Sequence, residues 1–137
     1  MRRQSKSGTS RRKLMPIETV RISKTGKDQL ATLKRRTKIP TWNVLCRWAF
    51  CVSMREPTPP HAFREDTEYP IEMTWRTFTG GLEGLYWAVL IERCRKDGIP
   101  IDDESLSIQL RLHLHRGISY LAANKKMQGV SDLYALI

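Results

Sequence analysis

The stretch LATLKRRTKIPTWNVLCRWAF, residues 30–50, joins two kinds of helix surface. Its first half carries four cations, which favour water or a polyanion. These are Lys34, Arg35, Arg36 and Lys38. Its second half is apolar almost all round, which predicts a helix in the core with Leu45 and Trp48 buried. Pro40 disfavours helix at the residue before it and can begin the next one, so the stretch predicts two helices separated by a turn.

The positive charge of the chain is concentrated near its start. The 137 residues have a formal net charge of +10. Residues 1–38 hold thirteen Lys or Arg against two acids, a net charge of +11, so the other 99 residues are close to neutral. We therefore expect one end of the chain to face a polyanion while the rest packs and assembles.

Length and composition favour one small domain preceded by a basic tail. Residues 1–15 are rich in Arg and Ser and lack acids, which predicts a disordered tail. Such a tail either has no role or adds contacts to phosphate. Residues 16–137 are expected to form a single domain, with a strand-helix-helix core over 17–54, a loop over 55–70 and a helical half over 71–137.

The order of elements in the core predicts a mainly α fold of a specific kind. Residues 17–24 alternate as a short strand does, and helices are expected over about 25–37 and 41–54. Strand, helix, turn and helix is the order of a ribbon-helix-helix unit, the repressor-like architecture in which the strands of two chains pair and enter the major groove. Arg21 and Ser23 are then expected on the outward face of the ribbon.

The second half of the chain is predicted to add further helices. Residues 71–78 alternate and indicate a strand or an extended segment. A helix over 82–97 is expected to turn Leu85, Val89 and residues 92–94 toward the core. A long helix begins after Asp102, its cap, and runs to about residue 123, and a short helix closes the chain.

The titratable residues do not form a catalytic or metal-binding pattern. The acids at 102–104 are those expected at a helix N-terminus. His113 and His115 lie about 200° apart around a helix, so they cannot bind one metal ion from that helix. We predict no catalytic residue, no metal site and no cofactor, which argues against an enzyme such as a nuclease.

Cysteine usage and hydropathy indicate a cytoplasmic protein. Cys46, Cys51 and Cys94 lie among apolar residues without a C-x-x-C pair, which predicts buried thiols in a reducing compartment. No run of about 18 apolar residues occurs, so no membrane span is expected.

Three blocks of the sequence resemble the DndE family of bacterial DNA sulfur-modification proteins. They are VRISKTGKDQLATLKRRTKIPTWNVLCRWAFCVSM, EMTWRTFTG and IQLRLHLHRGISYLA. The resemblance covers about residues 19–123, and its most unusual part is the run His113-Leu-His115-Arg116-Gly117.

The resemblance implies a small DNA-binding subunit without catalytic activity. The family's machinery replaces a non-bridging phosphate oxygen of DNA by sulfur, and its members act beside a DndC-like sulfurtransferase and a DndD-like ATPase. The resemblance further implies a helical, repressor-like fold that assembles into tetramers and favours nicked duplex DNA.

The family's basic surface carries over to six cations of the first block, to which the ribbon adds Arg21. The predicted DNA-binding residues are therefore Arg21, Lys24, Lys27, Lys34, Arg35, Arg36 and Lys38. The alternative is a free-standing ribbon-helix-helix transcriptional repressor. The 80 or so residues that follow the core favour the complex subunit, because a repressor of this type would be shorter.

Overall fold

The computed structural model describes residues 17–62 and 68–136, and over these residues the chain is mainly helical, as predicted. The elements are β1 (Thr19–Ile22), α1 (Lys24–Thr37), α2 (Trp42–Arg55), β2 (Ile71–Thr74), α3 (Trp75–Thr79), α4 (Glu83–Lys96), α5 (Asp103–Ala123) and α6 (Val130–Tyr134). The predicted tail, residues 1–15, lies outside the described residues.

Helix α5 is the centre of the fold, and α2 crosses it at very short range. A Cβ atom added to Gly117 of α5 would lie 1.8 Å from the carbonyl oxygen of Ala49 of α2. Only a residue without a side chain allows this contact. Leu45 and Phe50 of α2 and Leu114 of α5 are buried around the helices' interface. The apolar second helix therefore lies in the core, as its sequence predicts.

Helix α1 packs along another side of α5. Its N-terminus is capped by Ser23, whose hydroxyl accepts a hydrogen bond from the N–H group of Gly26 at 3.1 Å. A Cβ atom on Gly26 would lie 3.2 Å from the ring of His115, so this helix end also lies close to α5. Leu30 and Leu33 are fully buried. These contacts fix which side of α1 faces the core and which side faces solvent.

The two strands form an antiparallel ribbon within the chain, with Arg21 opposite Glu72. Val20 and Ile22 point into the core, whereas Arg21 is exposed. The sequence predicts β1 but not its pairing with β2. The prediction that Ser23 lies on the outward face was wrong: its side chain is 3% exposed, because its hydroxyl is used to cap α1.

Helix α4 buries only part of the side that the sequence predicts. Of residues 92–94, Arg93 and Cys94 are buried, whereas Glu92 is exposed. Leu85 and Val89 are 59% and 37% exposed, so the prediction that they face the core was wrong. The buried positions include Leu90 and Cys94, and the ring of Tyr86 packs at 5.6 Å from that of Phe50. Both sets of positions repeat at helical spacing. The packing of α4 against α3 and α5 determines which of the two sets is buried.

Two side chains of α2 are more exposed than predicted. Cys46 is buried, but Cys51 is exposed because it lies on the side of α2 opposite the core. Trp48 is only partly buried, and its ring edge packs against Tyr134 with the ring centroids 5.9 Å apart. Replacement of Trp48 should therefore cost less than removal of a fully buried aromatic residue.

The crossing of α2 and α5 gives a direct test of the fold. We expect Gly117→Ala to lower the free energy of unfolding by more than about 3 kcal/mol, because the added methyl group meets backbone atoms that cannot turn away. Gly84→Ala is the matched control: nothing lies within 4 Å of its added Cβ, and helix propensity predicts a gain of up to about 1 kcal/mol. Urea unfolding followed by circular dichroism measures both. Equal stability of the two variants would contradict the close crossing.

Candidate nucleic-acid interface

Four of the predicted DNA-binding cations share the outer side of α1. Lys24, Lys27 and Arg35 are exposed, and Lys34 is partly exposed. Their spacings of 3, 10 and 11 residues from Lys24 place them on one side of a helix with 3.6 residues per turn. This side is turned away from the buried Leu30 and Leu33, and Lys34 lies at its edge nearest to them. We call these four residues the α1 basic face.

Two lysines of the α1 basic face have side-chain contacts within the protein. Lys24 Nζ lies 3.6 Å from a carboxylate oxygen of Asp28, but both side chains are well exposed, so this pair contributes little stability. Lys34 Nζ lies 4.1 Å from the centre of the Trp42 ring. This cation-π contact restrains the lysine and joins the end of α1 to the start of α2. The sequence does not predict this role for Trp42.

The other three predicted cations have different surroundings. Arg21 Nε forms an exposed ion pair with Glu72 at 3.0 Å. Arg36 Nη1 donates a hydrogen bond at 3.0 Å to the carbonyl oxygen of Ala122, near the end of α5. Lys38 is exposed and ends α1 in the left-handed region, at φ 66°. Arg36 thus takes part in helix packing, and the seven predicted residues do not form one continuous surface.

Two arginines, Arg93 and Arg116, hold the end of α2, a role that the sequence does not predict for either of them. Arg93 is 6% exposed, and its Nε donates to the carboxylate of Asp97 at 2.8 Å. Its other nitrogens donate to the carbonyl oxygens of Met54, Glu56 and Thr58. Arg116 donates to the Thr58 carbonyl oxygen as well. An arginine in a helix gives no signal of this role, because its partners are distant backbone groups.

The run His113-Leu-His115-Arg116-Gly117 serves the packing of α5. His115 Nε2 accepts a hydrogen bond from the Ser23 N–H group at 3.1 Å, and Nδ1 lies 2.7 Å from the carbonyl oxygen of Arg111. These contacts require a neutral ring with its proton on Nδ1, because an N–H group only donates and a carbonyl only accepts. His113 Nδ1 lies 2.8 Å from the hydroxyl of Ser53 on α2. The run therefore binds α5 to both neighbouring helices.

Burial controls the protonation of the inner groups. Burial, as the largest cause, and the positive charges of Arg93 and Arg116 together lower the pKa of His113 to about 4. Burial raises the pKa of Cys46 to about 12, so its thiol stays protonated at neutral pH. Neither residue has the exposure or the pKa that a nucleophile or a general base needs at neutral pH.

Metal-binding clusters and membrane-spanning helices are absent from the part of the chain that the structure describes. Across 17–62 and 68–136, no group of three or more His, Cys, Asp or Glu side chains is arranged to hold a metal ion. In the same ranges, no helix combines the length and the hydropathy needed to cross a membrane. The fold and the site define a small helical protein with an exposed basic helix.

The sequence match identifies the family within this class. The family model described as DNA sulphur modification protein DndE matches residues 19–129, and the chain belongs to the DndE family. The resemblance of the three sequence blocks is thereby confirmed, and the protein is involved in DNA sulfur modification. No curated protein matches the chain at a significant level.

The low pKa of His113 predicts a loss of stability in mild acid. The folded pKa of about 4 lies below the ordinary value of 6.5, so the unfolded chain binds the proton more readily. The stabilisation is present above pH 6.5 and is lost as the pH falls toward 4. Between pH 7.5 and 5.0 the loss from this group should be about 2 kcal/mol.

Urea unfolding of three proteins at both pH values tests this effect. We expect His113→Gln to show a smaller pH dependence than the unsubstituted protein, whereas His61→Gln, at an exposed histidine, should keep all of it. The same pH dependence in all three proteins would rule out His113 as its source.

Proposed function

We propose that this chain is a DNA-binding accessory subunit of a DNA phosphorothioation complex and that it binds duplex and nicked DNA through the α1 basic face. The observation that carries the proposal is the gathering of four cations on one solvent-exposed helix face in a member of the DndE family. The net charge of +11 in residues 1–38 supports a polyanionic partner.

The α1 basic face suits contact with the DNA backbone. At a rise of 1.5 Å per residue, Lys24 and Arg35 are about 16 Å apart along the helix axis, a distance that spans several phosphates of a duplex. Lysines that project into solvent bind phosphate without reading base edges. The contact with Trp42 reduces the freedom that Lys34 must lose on binding. Binding is therefore expected to be sensitive to salt and weakly selective for sequence.

The remaining predicted cations have secondary roles in the proposal. Lys38 extends the basic face past the end of α1. Arg21 reaches DNA only when it leaves Glu72, which costs little because the ion pair is exposed. Arg36 positions α1 against α5 through its hydrogen bond to Ala122.

Assembly of several copies is part of the proposal. β1, α1 and α2 follow one another in the order of a ribbon-helix-helix unit. Among the described residues β1 pairs with β2 along one edge, so a ribbon between two chains would form along its other edge. The tetramer that the family resemblance implies would place several basic faces on one DNA molecule. Light scattering coupled to size exclusion measures the number of copies.

The partners of this subunit are the enzymes of the modification system. In the proposal it holds DNA for a DndC-like sulfurtransferase and a DndD-like ATPase, which supply the chemistry, and it needs no cofactor of its own. A nick makes a duplex easier to bend, so a subunit that presents DNA to these enzymes would bind nicked duplex more tightly if it bends the DNA.

Charge-matched variants test the DNA-binding surface. We expect the triple variant Lys24→Gln, Lys27→Gln, Arg35→Gln to bind a duplex at least tenfold more weakly at about 150 mM salt. Its plot of log affinity against log salt should lose up to about 2.7 units of slope, because three phosphates are no longer neutralised. Fluorescence anisotropy with nicked and intact duplexes measures both quantities.

The control variant removes three exposed cations elsewhere, Arg95→Gln, Lys96→Gln and Lys125→Gln, and so lowers the net charge equally. It should keep most of the wild-type slope. Equal losses in the two variants would show that only overall charge matters and would contradict the α1 basic face. Strong preference for one duplex sequence would instead favour the free-standing repressor.

A further inference from the structure

An open pocket of about 590 Å³ lies between the end of α2, the second half of α5 and the residues after α6. Its apolar walls include Val52, Tyr120 and Leu136, and its basic groups are Arg55, His61 and Arg116. The volume is within the range of sites that bind small molecules, about 300–1,000 Å³. The α1 basic face contributes none of the residues that line the pocket.

Arg116 presents a fixed positive charge to this pocket. Its Nε donates to the Ser53 hydroxyl at 2.9 Å, and its two other nitrogens donate to the carbonyl oxygens of Thr58 and Ser53, both at 2.8 Å. A guanidinium group has five N–H bonds, so two remain after these three hydrogen bonds. The side chain is therefore held in one orientation with donors to spare.

Arg116 differs from Arg93 in having no carboxylate partner among the described residues. Arg93 has a buried ion pair with Asp97, whereas Arg116 forms no ion pair among the described residues. Burial lowers the pKa of Arg116, and the neighbouring Arg93 lowers it further, because both disfavour a second positive charge at this position. The nearby carboxylate of Glu56, also in the pocket wall, offsets it in part and accepts a hydrogen bond from the Thr58 hydroxyl.

The other walls define the shape of a suitable ligand. Arg55 and His61 are exposed residues that line the same pocket as Arg116, so three basic groups border the space available to an anionic head group. Tyr120 is 53% exposed and contributes an aromatic ring to the lining, and Val52 and Leu136 add apolar surface. We propose that this pocket binds a phosphate monoester attached to an aromatic ring system, the chemistry of a nucleoside monophosphate.

Calorimetry with three probes on the full chain tests the proposal: thymidine 5′-monophosphate, thymidine and inorganic phosphate. Thymidine 5′-monophosphate should bind at least about tenfold more tightly than either fragment, because only the intact molecule uses the cations and the ring face together. Arg55→Gln and Tyr120→Ala should each weaken its binding by about tenfold. Arg116 is left in place because it also holds the end of α2.

Lys27→Gln, on the α1 basic face, is the control and should leave nucleotide binding unchanged. The proposal is overturned if thymidine 5′-monophosphate does not saturate a site. It is also overturned if inorganic phosphate binds equally well, or if Lys27→Gln weakens binding while Arg55→Gln does not. Arg55 and Tyr120 lie outside the α1 basic face, so loss of nucleotide binding in their variants is distinguishable from loss of duplex binding in the variants of that face.

Discussion

The contact between Gly117 of α5 and the backbone of Ala49 of α2 is the constraint on which the rest of the structure depends. Because no side chain separates the two helices there, Leu114 and Phe50 can close the core around them. Helix α5 is then covered by α2 on one side and by α1 on another. Its polar residues must find partners inside the protein, since burial without a hydrogen bond costs free energy. His115, for example, binds the Ser23 backbone.

The same packing separates the roles of the cations. Several arginines donate hydrogen bonds to backbone carbonyl oxygens near helix ends: Arg36 to Ala122, Arg47 to Phe78, Arg93 to Met54 and Arg116 to Ser53. The planar guanidinium group suits this role because it offers several donors in fixed directions. Exposed lysines of α1, such as Lys27, remain in solvent and are available for phosphate. Among the described residues up to 38, Arg36 thus takes part in packing, whereas the α1 basic face belongs to the proposed DNA surface.

Local signals explain which parts of the fold the sequence predicts. Pro40 separates the first two helices, and Asp102 caps α5 by accepting a hydrogen bond from the Ser105 N–H group at 2.8 Å. Contacts between distant residues explain the failures. Leu85 and Leu90 both fit a helical period, and only the packing against α3 and α5 shows that Leu90 is the buried one.

For the candidate site, too, the sequence predicts what depends on local spacing and misses what depends on contacts between distant residues. Helical spacing is enough to place Lys24 and Arg35 on one face of α1. It does not show that Arg36 reaches across to Ala122, because the two residues are 86 positions apart in the chain. The pocket beside Arg116 is also invisible in the sequence, since residues from three separate segments build it. The DndE family match supplies the involvement in DNA sulfur modification, which the basic residues alone do not specify.

Lysine acetylation in the presence and absence of a DNA duplex, read residue by residue by mass spectrometry, tests the central claim most directly. Bound DNA should protect Lys24, Lys27 and Lys34, because the proposal places them against the phosphates. Lys96, Lys125 and Lys126 lie outside the basic face and should react as they do in the free protein. Protection of this second group, with α1 left fully reactive, would contradict the proposed surface.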